Sequence, residues 1–173
     1  NWNGECFTVK TKSINSEAIN IVDLAMQKYY NHAIDYLEQE ENYKADIIVH
    51  LRPTAPYRKK EWLTESIQLL IDNESAHSVR SVSPVKQHAY RMFSIGSNGY
   101  LDPIMKHVHD EPYLLRRQDL PDNYYYNCVI DVTRYSTIKE LKSMTGTQMI
   151  PFIMDENEVV DIDTPLDLEI VRN

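Results

Sequence analysis

The stretch "ADIIVHLRPTAPYRKKEWLTESIQLLI", residues 45–71, combines three kinds of chain. Residues 45–51, ADIIVHL, form a short β-branched run of the kind that makes a buried strand. Pro53 stops it, because proline cannot donate to a strand ladder and restricts the residue before it. Residues 59–71, KKEWLTESIQLLI, then bring Leu63, Ile67, Leu70 and Ile71 round at helical spacing. Strand, stiff loop and helix in that order form the repeating unit of α/β sheets, which bind ligands at the carboxyl ends of their strands.

Residues 15–40 lie upstream and carry Ile19, Val22, Met26, Tyr29, Ala33 and Leu37 at spacings of three and four, with Asn15 or Ser16 placed to cap. This predicts an amphipathic helix. Downstream, SVRSVSP (78–84), YRMFSIG (90–96), NCVIDV (127–132), QMIPFIM (148–154) and EVVDI (158–162) read as strands, and 97–126 is a polar segment punctuated by proline. The alternation predicts one α/β domain over residues 1–173 with a mostly parallel central sheet. There is no internal repeat, low-complexity tract or domain linker.

The 173 residues include 42% hydrophobic ones, enough for one packed core. No run approaches the roughly 20 apolar residues that span a bilayer, and the first residues lack a basic region followed by an apolar one. The expectation is a soluble, cytoplasmic protein. Cys6 and Cys128 are too few for a disulfide framework and have no metal-ligand spacing, so reduced thiols are expected. A net charge of −8 argues against nucleic-acid or membrane-surface partners, which need a basic face. Residues 52–117 nevertheless hold ten of the eighteen Lys and Arg against seven acids. A basic middle beside an acidic end suits a small anionic ligand next to a carboxylate-bound cation; scattered surface charge is the plainer alternative.

Near the end of the chain, VVDIDTPLDLEIV (159–171) interrupts an apolar run with Asp161, Asp163 and Asp167. On a strand Asp161 and Asp163 would share a face, and two carboxylates so close repel unless a cation lies between them. Hard oxygen ligands suit Mg²⁺ or Mn²⁺, with substrate phosphates completing the shell. D-x-D also arises by chance, and spacing alone leaves both readings open. Thr164, Pro165 and Asp167 have the pattern of a helix start: an N-cap, proline in the first turn, and a carboxylate three residues on that can complete a capping box.

HLRPTAPYRKK (50–60) presents Arg52, Thr54 and Arg58 at a strand end on a loop stiffened by Pro53 and Pro56. EPYLLRRQDLPDNYYYN (111–127) joins paired arginines, Gln118 and three tyrosines; the arginines are suited to a carboxylate or phosphate, and the tyrosines to packing or an interface. HVHD (107–110) has no third ligand nearby and reads as a solvated loop. His32 reads as structural, and no nucleophile arrangement is present.

Taken in order, LRPTAPYR, RRQDLPDNYYYN, VIDVTRYSTI, SMTG and VVDIDTPLDL resemble the acylneuraminate cytidylyltransferases, the CMP-sialic acid synthetase family and its relatives for other nonulosonic acids. The likeness covers roughly residues 30–171. It implies a three-layer, Rossmann-like nucleotidyltransferase fold and a homodimer, with 84–126 as the dimerisation and substrate extension. It further implies Mg²⁺-dependent transfer of CMP from CTP to the anomeric hydroxyl of a 2-keto sugar acid, with release of pyrophosphate. By motif position, Asp161 and Asp163 would hold the metal, with Asp163 close to the attacking hydroxyl. Arg91 and Arg117 match basic positions around the sugar carboxylate, reaching it in the neighbouring subunit, while Arg52 and Asn127 match sugar-contacting positions. Thr54 and Gln118 belong to the same substrate-binding motifs.

The departures from the family are specific. Relatives often carry Gln at Arg52, Ser at Ala55 and Gly at Cys128. The family's N-terminal strand and its glycine- and lysine-rich triphosphate loop have no counterpart here, so the chain is expected to correspond to the C-terminal two-thirds of a synthetase. A non-catalytic dimerisation or sugar-acid-binding module, and a metal-dependent D-x-D glycosyltransferase, are the competing readings.

Overall fold

The structure, a computed structural model, describes residues 16–172; the side chains of residues 16–26, 166 and 170–172 lie outside what is described. The first helix, α1, runs Ser16–Glu40. The candidate cap Asn15, Cys6, and the side chains of Ile19, Val22 and Met26 lie outside what is described. Farther along α1 the inward face differs from expectation. Ile34 is the buried residue, whereas Tyr29 and Ala33 are exposed. Tyr30, one position on from Tyr29, packs its ring edge-on against His50 at 5.3 Å.

The 45–71 unit forms as its sequence dictates. β1 covers Ile47–His50 and α2 covers Lys60–Ile71. Trp62, Ser66 and Leu70 of α2 are buried at successive turns, while Ile71 is nearly half exposed at the helix end. β2 is Ser78–Pro84, matching its expected run. A 3₁₀ turn, Ala89–Arg91, precedes the short strand β3, Phe93–Ile95, which pairs antiparallel with β4, Leu101–Pro103. β5, Tyr124–Arg134, begins three residues before its expected start and includes the tyrosine run. It leads into a short helix, α3, Tyr135–Lys139; β6, Met149–Ile153, and α4, Pro165–Arg172, complete the elements.

The main sheet has the order β1-β5-β2-β6. β5 runs antiparallel to both β1 and β2, and only β2 and β6 pair in parallel. This corrects the mostly parallel expectation. β1, β2 and β6 do run the same way, but β5 inserts between β1 and β2 in the opposite sense, and nothing in a buried apolar run encodes strand direction. The expected strand at 158–162 does not form either. A 3₁₀ turn, Glu156–Glu158, leads into extended chain that carries Asp161 and Asp163 without joining a ladder. Pro151 sits in β6, one of the two edge strands of the sheet among the described residues, where the missing N–H is tolerated.

The core lies between α2 and one sheet face. Trp62, Leu70, Val79, Val129, Ile130, Val132 and Met154 are buried together, with Ile47, Val49, Leu63 and Ile67 packed around them. Because strand side chains alternate, the residues between these point to the other face. There the register sets His50 of β1, Asp131 of β5 and Arg80 of β2 in one row across three strands.

Residues 84–126 leave the sheet at Pro84 and return at its ladder partner Tyr124. The β3–β4 hairpin in this excursion turns tightly through Gly96–Tyr100, and Gly99 takes φ +81°, a conformation open to glycine. The excursion exposes several large apolar side chains: Ile95, Tyr100, Leu101 and Leu114 are each about two-thirds exposed or more.

Candidate active site

The proline loop and the D-x-D segment meet. The N–H of Ile162, between the two aspartates, donates to the carbonyl of Thr54 at 2.8 Å. One carboxylate oxygen of Asp161, Oδ1, is buried without a hydrogen-bond partner in the protein, whereas Asp163 is exposed. An unpaired buried carboxylate oxygen is costly unless something compensates it, and a small hard cation with phosphate and water oxygens fits this pair of donors. Among the described residues no group of three or more His, Cys, Asp or Glu gathers, and HVHD at 107–110 is exposed.

The helix behind the D-x-D segment starts as its sequence suggests. Asp167 Oδ2 accepts from the Thr164 N–H at 2.7 Å and from the Asp163 N–H at 3.1 Å, while Thr164 Oγ1 accepts from the Asp167 N–H at 3.3 Å. These bonds, led by the Thr164 hydroxyl, hold the Asp167 carboxyl below its ordinary pKa. Asp167 therefore caps α4 and leaves the other two aspartates to face elsewhere.

Arg58 is a structural member of the loop. Its Nε donates to the carbonyl of Val129 at 2.9 Å, and its Nη2 donates to the carbonyl of Arg52, so it ties the loop's entry to β5. Lys59 pairs with Glu158, fastening the start of α2 to the turn before the D-x-D segment. Thr54 is exposed beside them. Arg52 extends over the other sheet face: its Nη2 donates to the Tyr126 hydroxyl at 3.1 Å and its guanidinium lies over that ring at 5.3 Å.

Under Arg52 lies a group that the sequence reading passed over. Asp131, 2% exposed, forms an ion pair with Arg80 at 2.9 Å and accepts a hydrogen bond from the Tyr126 hydroxyl. His50 Nδ1 stands 3.7 Å away and Arg52 Nε 3.9 Å away. Burial alone would raise the pKa of Asp131, but His50, Arg80 and Tyr126 outweigh it and leave the carboxyl below its ordinary range. Burial, then the neighbouring carboxylate, push the Tyr126 phenol up, so it remains a proton donor. A signal did exist in the sequence, since Asp131 interrupts the apolar run NCVIDV. Reading it required the register that sets Arg80 and His50 on either side.

A wide bulge lets β5 reach this geometry. Between the pairs Arg80–Asp131 and Val82–Tyr126, β2 advances two residues while β5 advances five. Ser81 Oγ accepts the freed N–H groups of Val129 and Ile130 at 3.1 and 2.9 Å. Asn127, expected to contact sugar, is 4% exposed and commits its amide inside the bulge: Nδ2 donates to Ser83 Oγ at 2.9 Å, and Oδ1 accepts from the Val129 N–H at 3.3 Å. Cys128 adopts φ +62°, in the left-handed region that favours glycine. Burial pushes its thiol above the ordinary cysteine pKa.

The remaining candidates lie apart. Arg91 and Arg117 line an open cleft of about 350 Å³ at the base of the 84–126 excursion, together with Lys86, His88 and Asp122. Arg91 donates to the Leu115 carbonyl at 3.3 Å, and Gln118 is exposed on the 3₁₀ turn Arg117–Asp119. No residue of this cleft belongs to the Asp131 group or to the D-x-D segment. The structure thus sets the backbone of the Arg52–Thr54 loop beside the Asp161–Asp163 segment through the Ile162–Thr54 bond, turns the Arg52 guanidinium to Tyr126 and Asp131, and places Arg91, Arg117 and Gln118 elsewhere.

No helix among the described residues is long and apolar enough to cross a membrane. No family model matches the chain. It is 30% identical over 127 residues to the CMP-N,N'-diacetyllegionaminic acid synthase of Legionella pneumophila subsp. pneumophila (strain Philadelphia 1), a match covering 70% of this chain and 50% of that protein. The chain therefore spans half the length of this curated relative. Its fold matches that of CMP:2-keto-3-deoxy-manno-octonic acid synthetase complexed with CTP, with a TM-score of 0.52 and 12% identity over 82% of this chain and 65% of the other. The chain is thus a mixed α/β protein that is similar to CMP-sugar-acid synthetases, by sequence to one and by fold to another.

Proposed function

We propose that this chain supplies the sugar-acid and metal sites of a cytidylyltransferase that joins CMP from CTP to a nonulosonic 2-keto sugar acid and releases pyrophosphate. The observation that carries the reading is the Ile162–Thr54 hydrogen bond, which sets Asp161 and Asp163 beside the loop bearing Arg52. The sequence likeness to a synthase for a diacetylated nonulosonic acid supports the substrate class. The CTP named with the structural neighbour supports the nucleotide.

Asp161 and Asp163 would hold Mg²⁺ or Mn²⁺, which when bound would neutralise triphosphate charge and lower the pKa of the attacking hydroxyl. The chain's own groups would do the rest. Arg52 would hold the sugar acid by its fork, and the exposed Asp163 carboxylate would accept the hydroxyl proton. Arg91 and Arg117 would clamp the carboxylate of a sugar acid in the partner subunit's site, with Gln118 beside them. The exposed apolar residues of the 84–126 excursion support such a homodimer, because patches of this kind mark interaction sites. A three-layer domain and a cytoplasmic location, where CTP is available, complete the proposal.

The test is pyrophosphate release by the full-length protein with CTP, Mg²⁺ and a panel of nonulosonic acids, beside an Asp161→Ala/Asp163→Ala control. Release that the double variant lacks supports the reading. No release above that control sinks it, and sugar-acid binding without turnover would reassign the chain as a binding module. Sedimentation of the protein with and without Ile95→Lys/Leu101→Lys tests the dimer.

A further inference from the structure

Among the described residues, a second buried polar group, besides the D-x-D segment, lies around Asp131. Three strands contribute to it, through His50 on β1, Arg80 on β2, and Asp131 with Tyr126 on β5. Arg80 is only 8% exposed, and besides Asp131 its Nη2 engages the Met144 carbonyl, which fixes the guanidinium from two sides. Asp131 therefore has a rigid counter-ion beneath it. Above it, the Tyr126 hydroxyl spends its proton on Asp131 and offers its oxygen to Arg52. The chain of contacts runs Arg80, Asp131, Tyr126, Arg52, from the interior to a half-exposed arginine.

Charge explains the direction of this chain. One buried carboxylate faces two arginines, Arg80 beside it and Arg52 at 3.9 Å. Arg80 is the nearer partner of Asp131, so Arg52, farther off and 39% exposed, is only partly neutralised within the protein. A long arginine side chain loses conformational entropy when it is fixed, and an anchored one recognises a planar acid at lower cost. The anchor here is a buried ion pair acting through one phenol.

We propose that Asp131 is a positioning residue, which through Tyr126 holds the Arg52 guanidinium in the orientation that receives the sugar acid. This rests on the reading of the chain as a sugar-acid cytidylyltransferase. Asp131 itself touches no substrate. It acts on sugar-acid recognition and leaves the nucleotide alone.

Two measurements on the full-length protein test this, one of them independent of activity. In the first, Tyr126→Phe, which keeps the Arg80–Asp131 pair, raises the sugar-acid KM roughly tenfold, the worth of about one hydrogen bond to a charged group. kcat and the KM for CTP stay near wild type, while Tm falls by only a few degrees for the hydrogen bond lost to Asp131. Asp131→Leu alone lowers Tm on the order of 10 °C, because Arg80 is left buried and unpaired. The double variant Arg80→Leu/Asp131→Leu recovers most of that Tm while its sugar-acid KM stays raised. Recovery of KM together with Tm would mean that the pair is purely structural and would overturn the proposal.

The second measurement follows the Arg52 side-chain N–H signals by NMR with ¹⁵N-arginine, identified through Arg52→Lys. They are sharp and slow to exchange in the wild type, and broaden in Tyr126→Phe and in the Arg80→Leu/Asp131→Leu double variant. Unchanged signals in both variants would also overturn the proposal. If the wild type turns over no sugar acid, the functional reading fails, and the NMR arm still decides whether Asp131 positions Arg52.

Discussion

Arg80 and Asp131 stand opposite each other in the β2–β5 ladder, 2.9 Å apart, and both are almost wholly withdrawn from water. Their pairing makes stability depend on acid. The Asp131 carboxyl is lowered in the folded protein, so its contribution is present in full above its unfolded pKa of about 3.9 and is lost as pH falls through the lower folded value. Urea unfolding from pH 6 down to pH 2 is expected to show stability falling steeply below about pH 4. Asp131→Asn is expected to start from lower stability and to flatten part of that acid limb. An Asp131→Asn curve parallel to wild type would show that other carboxylates govern the limb.

Cys128 holds φ +62° in the bulge of β5, a conformation that costs a residue with a Cβ about 1 kcal/mol or more. Cys128→Gly is expected to gain most of that strain energy, offset in part by the greater freedom of glycine in the unfolded chain. A net rise of roughly 0.5–1 kcal/mol in chemical denaturation is the expected outcome. A loss of stability would mean that the thiol's packing outweighs the backbone strain.

Gly146, in the SMTG motif, has φ +65°, and a Cβ there would fall 2.4 Å from the His77 ring. His77 cannot easily move, because its Nδ1 accepts the N–H groups of Thr147 and Gln148 at 3.1 and 3.3 Å. Gly146→Ala therefore combines strain with a clash, and is expected to cost about 2–5 kcal/mol. Thermal unfolding beside Gly99→Ala, where a Cβ meets nothing within 4 Å, separates the clash from the backbone term.

Thr164→Ala removes the N-cap of α4 and is expected to cost about 1 kcal/mol. The same change should reduce activity, because the cap fixes the chain immediately after Asp163, whose own N–H is held by Asp167. Restoration of both stability and activity by Thr164→Ser, but not by Thr164→Val, would identify the hydroxyl as the cause.

Particular residues show how far the sequence could be read. The helical spacing of Leu63, Ile67 and Leu70, the β-branched run before Pro53, and the Thr164–Pro165–Asp167 start signal each produced the element expected of them. These patterns are local, and a few neighbours along the chain settle them. The D-x-D segment was legible as carboxylates beside a helix start, but not as extended chain held by Thr54, because that bond joins residues more than a hundred positions apart.

What the sequence determined by itself was the strand–loop–helix unit of residues 45–71, the run that becomes β2, the capped start of α4, the stiff loop carrying Arg52, and the likeness to CMP-sugar-acid synthetases. Only the tertiary structure decided that β5 runs against its neighbours, that its bulge turns Asn127 inward and bends Cys128 into the left-handed region, and that His50, Asp131 and Arg80 share one row. The physical reason is range. Periodicity and capping act over three or four residues, whereas strand direction and register follow from burial summed over the whole sheet, and the ion pair at Asp131 exists only where that register brings distant charges together.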